Sequence, residues 1–285
     1  MNLFSKTLKN EIDVLDLKNY QIALKCELLK LNNIKSLIII LVITLISVVF
    51  TYFANTINIE ENILVLNSDK LIFDVHLKIF LFISFPLINV IIASSLYKIE
   101  YINNTKRMIY TLPIKKSTFY YSKLSIVILY NFVSLFFLCI FIIALRQYYM
   151  SAFGVHFSFT LEAFIYMIFS CLIVLVASIP ISALHLWFGS LKLSSLLNTL
   201  ILLGLTASSA FLYIKQLPNQ WYNIYLFPLS AQKNFSKENF NLFSSSNWKW
   251  FSQDSFGFII IMVLISSLAL ITSIGYYINN KDSKY

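Results

Sequence analysis

The sequence predicts an all-α polytopic membrane protein with six transmembrane helices, and three observations carry that expectation. Hydrophobic residues make up 58% of the chain and charged ones only 12%, about half the charged share of a soluble domain. The apolar residues gather into six unbroken runs of roughly 20, the length that crosses ~30 Å of hydrocarbon at ~1.5 Å per residue. Those runs are continuous and do not alternate with period two, which disfavours a closed β-barrel.

Along the chain, residues 1–35 read as a cytoplasmic or interfacial segment. From Tyr20, the apolar Ile22, Leu24, Leu28, Leu29 and Leu31 mix with Lys25, Glu27 and Lys30. This pattern predicts an interfacial helix along the inner surface, broken at Asn32–Asn33; residues 1–19 carry a less definite one. The spans follow at about 36–54, 79–96, 124–145, 163–184, 193–214 and 256–278, with no Lys, Arg, Asp or Glu in their central parts. No cleavable signal peptide is expected, because the first apolar run begins only near Ser36. Residues 1–285 form one transmembrane domain, without repeats or glycine-rich linkers.

Two connections have a character of their own. In the 98–118 loop, Tyr101, Ile102, Thr105, Met108, Ile109 and Leu112 fall at helical spacing, with Glu100, Asn103, Asn104, Lys106 and Arg107 mostly on the remaining surface. Pro113 forbids a regular continuation, and Ser117 is a candidate cap for the next helix. The 215–255 loop is rich in aromatic residues, Trp221, Trp248 and Trp250 among them. Such side chains favour the headgroup zone, so this segment is expected to rest on the outer leaflet.

Charge placement sets the orientation. The side holding both termini, the 98–123 stretch and Lys192 nets +9, whereas the other side nets 0. The positive-inside rule places the +9 side, and both termini, in the cytoplasm of a cell membrane protein. Basic residues beside spans are topology signals and anionic-lipid contacts, so the positive charge calls for no nucleic-acid partner.

Catalytic and cofactor motifs are absent: there is no Walker A loop, GxGxxG, HExxH or GxSxG. His76, His156 and His185 each stand alone and read as structural or interfacial. Cys26, Cys139 and Cys171 form no CxxC pair and read as small apolar fillers, with no metal site. The lack of mid-membrane charge argues against an ion-coupled carrier, and Glu162 reads as an interfacial charge at the mouth of a span. Energy for any uphill transport must then come from a partner. In the fifth span, Ser195, Thr199, Leu202, Thr206 and Ser209 share a face about 80° wide. Such a stripe fits either close helix packing or the lining of a substrate route.

The stretch Glu100 … Lys106–Arg107 … Leu112–Pro113–Ile114–Lys115–Lys116 … Tyr121–Ser122–Lys123 resembles the signature between the second and third spans of ABC-2 type transporter permeases. In that family a Glu opens a short cytoplasmic coupling helix, a Leu-Pro pair ends it, and a Lys starts the next span. Glu27–Leu28–Leu29–Lys30–Leu31 is similar to the family's N-terminal interfacial helix. About 20 extra N-terminal residues, and Asn104 where a glycine is common, depart from the pattern. The Lys-, Ile- and Asn-rich character resembles Gram-positive permeases for peptide export or for lantibiotic and bacteriocin immunity.

The resemblance implies a permease subunit, itself no enzyme, that pairs with a copy of itself or a sister permease and engages cytoplasmic ABC ATPase subunits. ATP and Mg would be bound by those partners, with no cofactor in this chain. Glu100, Lys106, Arg107, Met108, Ile109, Leu112 and Pro113 would couple hydrolysis to export of a hydrophobic or amphipathic substrate such as an antimicrobial or toxin peptide. The apolar stripe would dock while the basic residues meet an acidic partner surface; otherwise the loop is a lipid anchor on the inner leaflet. Two other functions stand beside this one: a non-transporting immunity or assembly protein that binds a peptide or lipid at its outer face, and a membrane enzyme acting on lipid.

Overall fold

The computed structural model describes residues 18–31, 33–56, 69–102, 116–153, 161–190, 204, 267, 268, 270–272 and 274. Among them there is no strand. The helices are α1 (18–30), α2 (Asn33–Thr56), α3 (Asp69–Ile79), α4 (Phe85–Ile102), α5 (Lys116–Phe153), α6 (Leu161–Ala177) and α7 (Ile179–Ser190), with a π-helical turn, Phe80–Ser84, joining α3 to α4. Residues 103–115, the Ser195–Ser209 stripe, the 215–255 loop and His156 lie outside the described residues. So does most of the expected sixth span.

Among the described residues three stretches are long and apolar enough to cross a membrane: Lys35–Phe53, Ser117–Tyr148 and Ala163–Gly189; Phe85–Lys98 is a shorter apolar helix. α2 shows how this chain inverts the rule for soluble helices. Thr44, Ser47 and Thr51 are buried on one face, while Ile38, Val42, Ile46, Phe50 and Phe53 point outward. The three hydroxyls satisfy themselves locally. Thr44 donates to the Ile40 carbonyl at 2.6 Å, Ser47 to that of Thr44 at 2.7 Å, and Thr51 to that of Ser47 at 2.6 Å. Small, internally bonded residues let neighbouring helices approach, and lipid tails solvate the apolar outer face.

Helices run past the apolar runs that betray them. The 38 residues of α5 rise about 57 Å, nearly twice the hydrocarbon thickness. The second run starts near Ile79, yet the helical path begins at Asp69. Its π turn lies just before Pro86, which has no N–H to give the carbonyl four residues back, and Phe85 bonds instead to the Phe80 carbonyl. A second proline, Pro180, likewise cannot donate to Val176. The helix breaks at Ser178, whose hydroxyl donates to the Leu175 carbonyl at 2.6 Å.

α2 and α4 both pack against α5, and α7 fills the groove between α4 and α5. Phe73, Leu77, Phe80, Phe85, Ile88, Leu96, Leu138 and Leu186 form much of the core. Gly189 is required by a close approach: a Cβ there would lie 2.7 Å from Cδ2 of Tyr97 on α4.

Candidate functional site

The interfacial segment, the end of α4 and the start of α5 meet in one cluster of four charges. Lys30 Nζ lies 2.6 Å from Glu27 Oε1 and 2.7 Å from Glu100 Oε1. Lys123 Nζ lies 2.5 Å from Glu27 Oε1 and 2.6 Å from Glu100 Oε1. Each ammonium thus bridges both carboxylates, giving a closed ring of alternating charge with no net charge. Glu27 is fully buried and Lys123 nearly so, whereas the Lys30 side chain keeps 18% of its exposure. The Lys123 ammonium also sits 5.4 Å from the centre of the Tyr97 ring, within cation–π range.

Burial alone would push the Glu100 carboxyl up, but the ammoniums of Lys123 and Lys30 outweigh it and hold the pKa below the usual range. Burial likewise works against the charge of Lys30, and the carboxylates of Glu100 and Glu27 reverse this, raising its pKa. Both groups stay ionised at neutral pH. Glu100 lies in the last turn of α4, where the helix dipole disfavours a carboxylate; the two lysines compensate. Glu27 Oε2 is buried and accepts no hydrogen bond among the described residues.

Each of these helices is amphipathic around the cluster, with the charge placed inside its buried stripe. On α1 and just past its end the buried positions are Ala23, Glu27 and Leu31; on α4 near the cluster they are Ala93, Leu96, Tyr97 and Glu100; on α5 they include Tyr120, Lys123, Leu124 and Val127. A charge at a position where helical spacing demands an apolar residue is the signal for the site. The sequence puts Glu27 and Lys30 on the interfacial helix and Lys123 at the start of a span, but nothing in it joins them to Glu100. Of the expected coupling residues the structure describes Glu100 alone; Lys106, Arg107, Met108, Ile109, Leu112 and Pro113 lie outside the described residues.

Deeper in the bundle, Asn89 of α4, Asn131 of α5 and Ser182 of α7 form a second polar group. Asn131 Nδ2 donates to Asn89 Oδ1 at 3.1 Å and to Ser182 Oγ at 3.0 Å, and Ser182 Oγ donates to Asn89 Oδ1 at 2.9 Å. All three are fully buried, and Asn131 Oδ1 has no hydrogen-bond partner among the described residues. Tyr120 adds a bond from its hydroxyl to the Ala183 carbonyl at 3.2 Å. His185 lies one turn from Ser182 and is also fully buried.

At the far end, the Tyr166 hydroxyl of α6 donates to Asp74 Oδ1 of α3 at 2.8 Å. His76 is buried beside it in sequence, its Nδ1 donating to the Ile72 carbonyl at 2.8 Å, and burial holds its pKa below the usual value. Between α2 and α4 a recess is walled by Ile39, Ile43, Ile88 and Ile92, with Ser36 and Ser95, a lining that suits an apolar chain and not a charged ligand. Among the described residues no group of three or more His, Cys, Asp or Glu side chains could hold a metal ion.

Comparison with known proteins bears on the same region. Residues 23–205 match the family model described as ABC-2 family transporter protein, a stretch that contains Glu27, Lys30, Glu100 and Lys123. Neither a curated protein nor a solved structure matches the chain. With more than half of its length inside that match and its apolar helices in place, the chain belongs to the ABC-2 transporter family: it is a multi-pass membrane protein and the permease component of an ABC transporter, whose family works with an ABC ATPase subunit.

Proposed function

We propose that this permease exports a hydrophobic or amphipathic peptide, of the antimicrobial or toxin class, from the membrane or cytoplasm. Its energy is ATP hydrolysed, with Mg, by the partner ATPase. It acts in the cell membrane as a dimer, with itself or a sister permease, through six spans and with both termini cytoplasmic. The charge excess on one side supports that orientation. The peptide class is supported by the resemblance to immunity and export permeases.

The observation that carries the coupling part is the four-charge cluster. Residues 103–115 leave α4 just beyond Glu100 and enter α5 shortly before Lys123, and both of those residues are ion-paired to Glu27 of α1 or to its neighbour Lys30. A force applied by an ATPase to the 100–112 segment therefore reaches three helices through buried, nearly rigid contacts. Docking rests on Met108, Ile109 and Leu112, with Lys106 and Arg107 steering the approach.

The test is recovery of the ATPase with tagged permease from native membranes, together with ATPase rate and peptide tolerance of the cells. Replacing a buried anchor costs about 2 kcal/mol, near 30-fold in affinity. Ile109→Ala and Leu112→Ala should therefore reduce recovery or uncouple hydrolysis, whereas Lys281→Ala in the tail should not. Wild-type behaviour of both anchor variants in all three measurements would overturn the coupling role. Unchanged tolerance to cationic amphipathic peptides on deleting the permease would overturn the substrate class.

A further inference from the structure

The three cysteines have no motif spacing, yet the fold brings two of them together. Cys139 on α5 and Cys171 on α6 place their sulfurs 3.5 Å apart. Both are free thiols and partly exposed. Their neighbours Phe136, Ile140 and Leu172 are exposed on the outer, apolar face of the helices. Each cysteine lies inside an apolar stretch, Ser117–Tyr148 or Ala163–Gly189, so this thiol pair borders the hydrocarbon.

We propose that Cys139 and Cys171 are an oxidation site, closing into a disulfide that ties α5 to α6, with a bilayer-soluble acceptor of the quinone class as oxidant. Two S–H bonds break and one S–S bond forms; the two protons and two electrons reduce the quinone to its hydroquinone. A disulfide is about 2.05 Å long, so the sulfurs must approach by about 1.5 Å. Two thiols already in contact come that close by small side-chain rotations. Polar thiol reductants such as glutathione, which keep cytosolic cysteines reduced, partition poorly into hydrocarbon, whereas an apolar quinone concentrates there. The bond would pin α6 to α5, and with it to the body that Asn131 and Ser182 join to α7.

The experiment uses the full-length permease carrying Cys26→Ser in native membranes, treated with decylubiquinone and then with a membrane-permeant maleimide. Peptide mass spectrometry should show maleimide labelling of Cys139 and Cys171 falling together, about tenfold, with a cross-linked 139–171 peptide that dithiothreitol reverses. Cys171→Ser should keep Cys139 labelled under the same treatment. Unchanged labelling of both thiols, or a cross-link joining two copies of the chain, would overturn the proposal. Closure by diamide but not by the quinone would overturn the assignment of the oxidant.

Discussion

Replacing Lys123 by Met removes one of the two cations on which both buried carboxylates depend. Glu27 is fully buried and the Glu100 side chain retains only 7% of its exposure. After the change, Lys30 alone faces both carboxylates, and one negative charge in the cluster is uncompensated. Breaking a buried ion pair from one side typically costs about 3–5 kcal/mol, because the remaining charge cannot recover its hydration. Lys30→Met removes the same formal charge from the more exposed corner, where water can take the place of the ammonium, so about 2 kcal/mol is expected. The double variant Glu27→Gln with Lys123→Met leaves the matched pair Glu100–Lys30. It should be more stable than the sum of its single variants by about 1–3 kcal/mol. The assay is unfolding of the purified permease by titration with SDS, followed by circular dichroism for the wild type, the three single variants and the double variant. A Lys123→Met variant within about 0.5 kcal/mol of wild type, or strict additivity in the double variant, would refute the claim that this ring holds the three helices together.

Three further expectations follow from particular contacts. Because the Glu100 pKa is depressed in the folded state, its contribution to stability is present above the ordinary value of 4.5 and is lost as pH falls through the folded value; the raised Lys30 pKa adds stability below 10.5 that is lost as pH rises through its folded value. A pH titration of the SDS midpoint should thus show a neutral plateau with an acid loss that Glu100→Gln reduces. Gly189→Ala drives a methyl group to 2.7 Å from the Tyr97 ring and should cost about 1–3 kcal/mol, a loss that Tyr97→Leu in the same chain partly restores in the same titration. Asn89→Ala takes one of two acceptors from both Asn131 Nδ2 and the Ser182 hydroxyl, at a cost of about 1–3 kcal/mol; Asn131→Leu also removes an oxygen that has no partner among the described residues, so its cost should be the smaller of the two.

The existence of apolar helices was legible because the bilayer is an unforgiving solvent: a backbone crossing it must satisfy its own hydrogen bonds, and its side chains must be apolar. Helix ends were less legible. Hydropathy reports hydrocarbon, whereas hydrogen bonding continues past it, as α5 does from Lys116 to Phe153. The breaks at Phe80–Ser84 and Ser178 lie beside Pro86 and Pro180, and those prolines could have located them, since each removes one backbone donor. Glu100 could be singled out by its place at the start of the segment that Leu112–Pro113 ends, but its partners could not. They come from α1 and α5, and one sequence contains no measure of which helices meet. The same is true of Cys139 with Cys171, 32 residues apart yet in sulfur contact. Asn89 and Asn131 are single amides in otherwise apolar runs, without the repeated spacing of the Ser195–Ser209 stripe, although a buried amide in hydrocarbon also demands a partner.

The two polar groups lie on the same pair of helices, and this bears on what can move. Glu100 and Asn89 are 11 residues apart on α4, about 16 Å along the axis, and Lys123 and Asn131 are 8 apart on α5, about 12 Å. Each helix is therefore fixed to the other at two levels, by ion pairs at one end and by an amide–amide bond inside. Two helices joined at a single point can scissor or slide; joined at two, they resist both. Ser182 adds α7 to the inner contact, and Glu27 adds α1 to the outer one. A push arriving at the 100–112 segment should accordingly displace α1, α4, α5 and α7 as one body. Compliance should be greatest where a proline removes a helical donor: at the π turn Phe80–Ser84 before Pro86, and near Ser178, where Pro180 has no N–H to give Val176 although Ser178 N–H still bonds the Val174 carbonyl and Ser182 N–H the Ser178 carbonyl. Both lie away from the ion cluster along their chains; α3 and α6 also receive motion sideways, through the packing of α3 on α2 and of α6 on α5, where Cys139 meets Cys171.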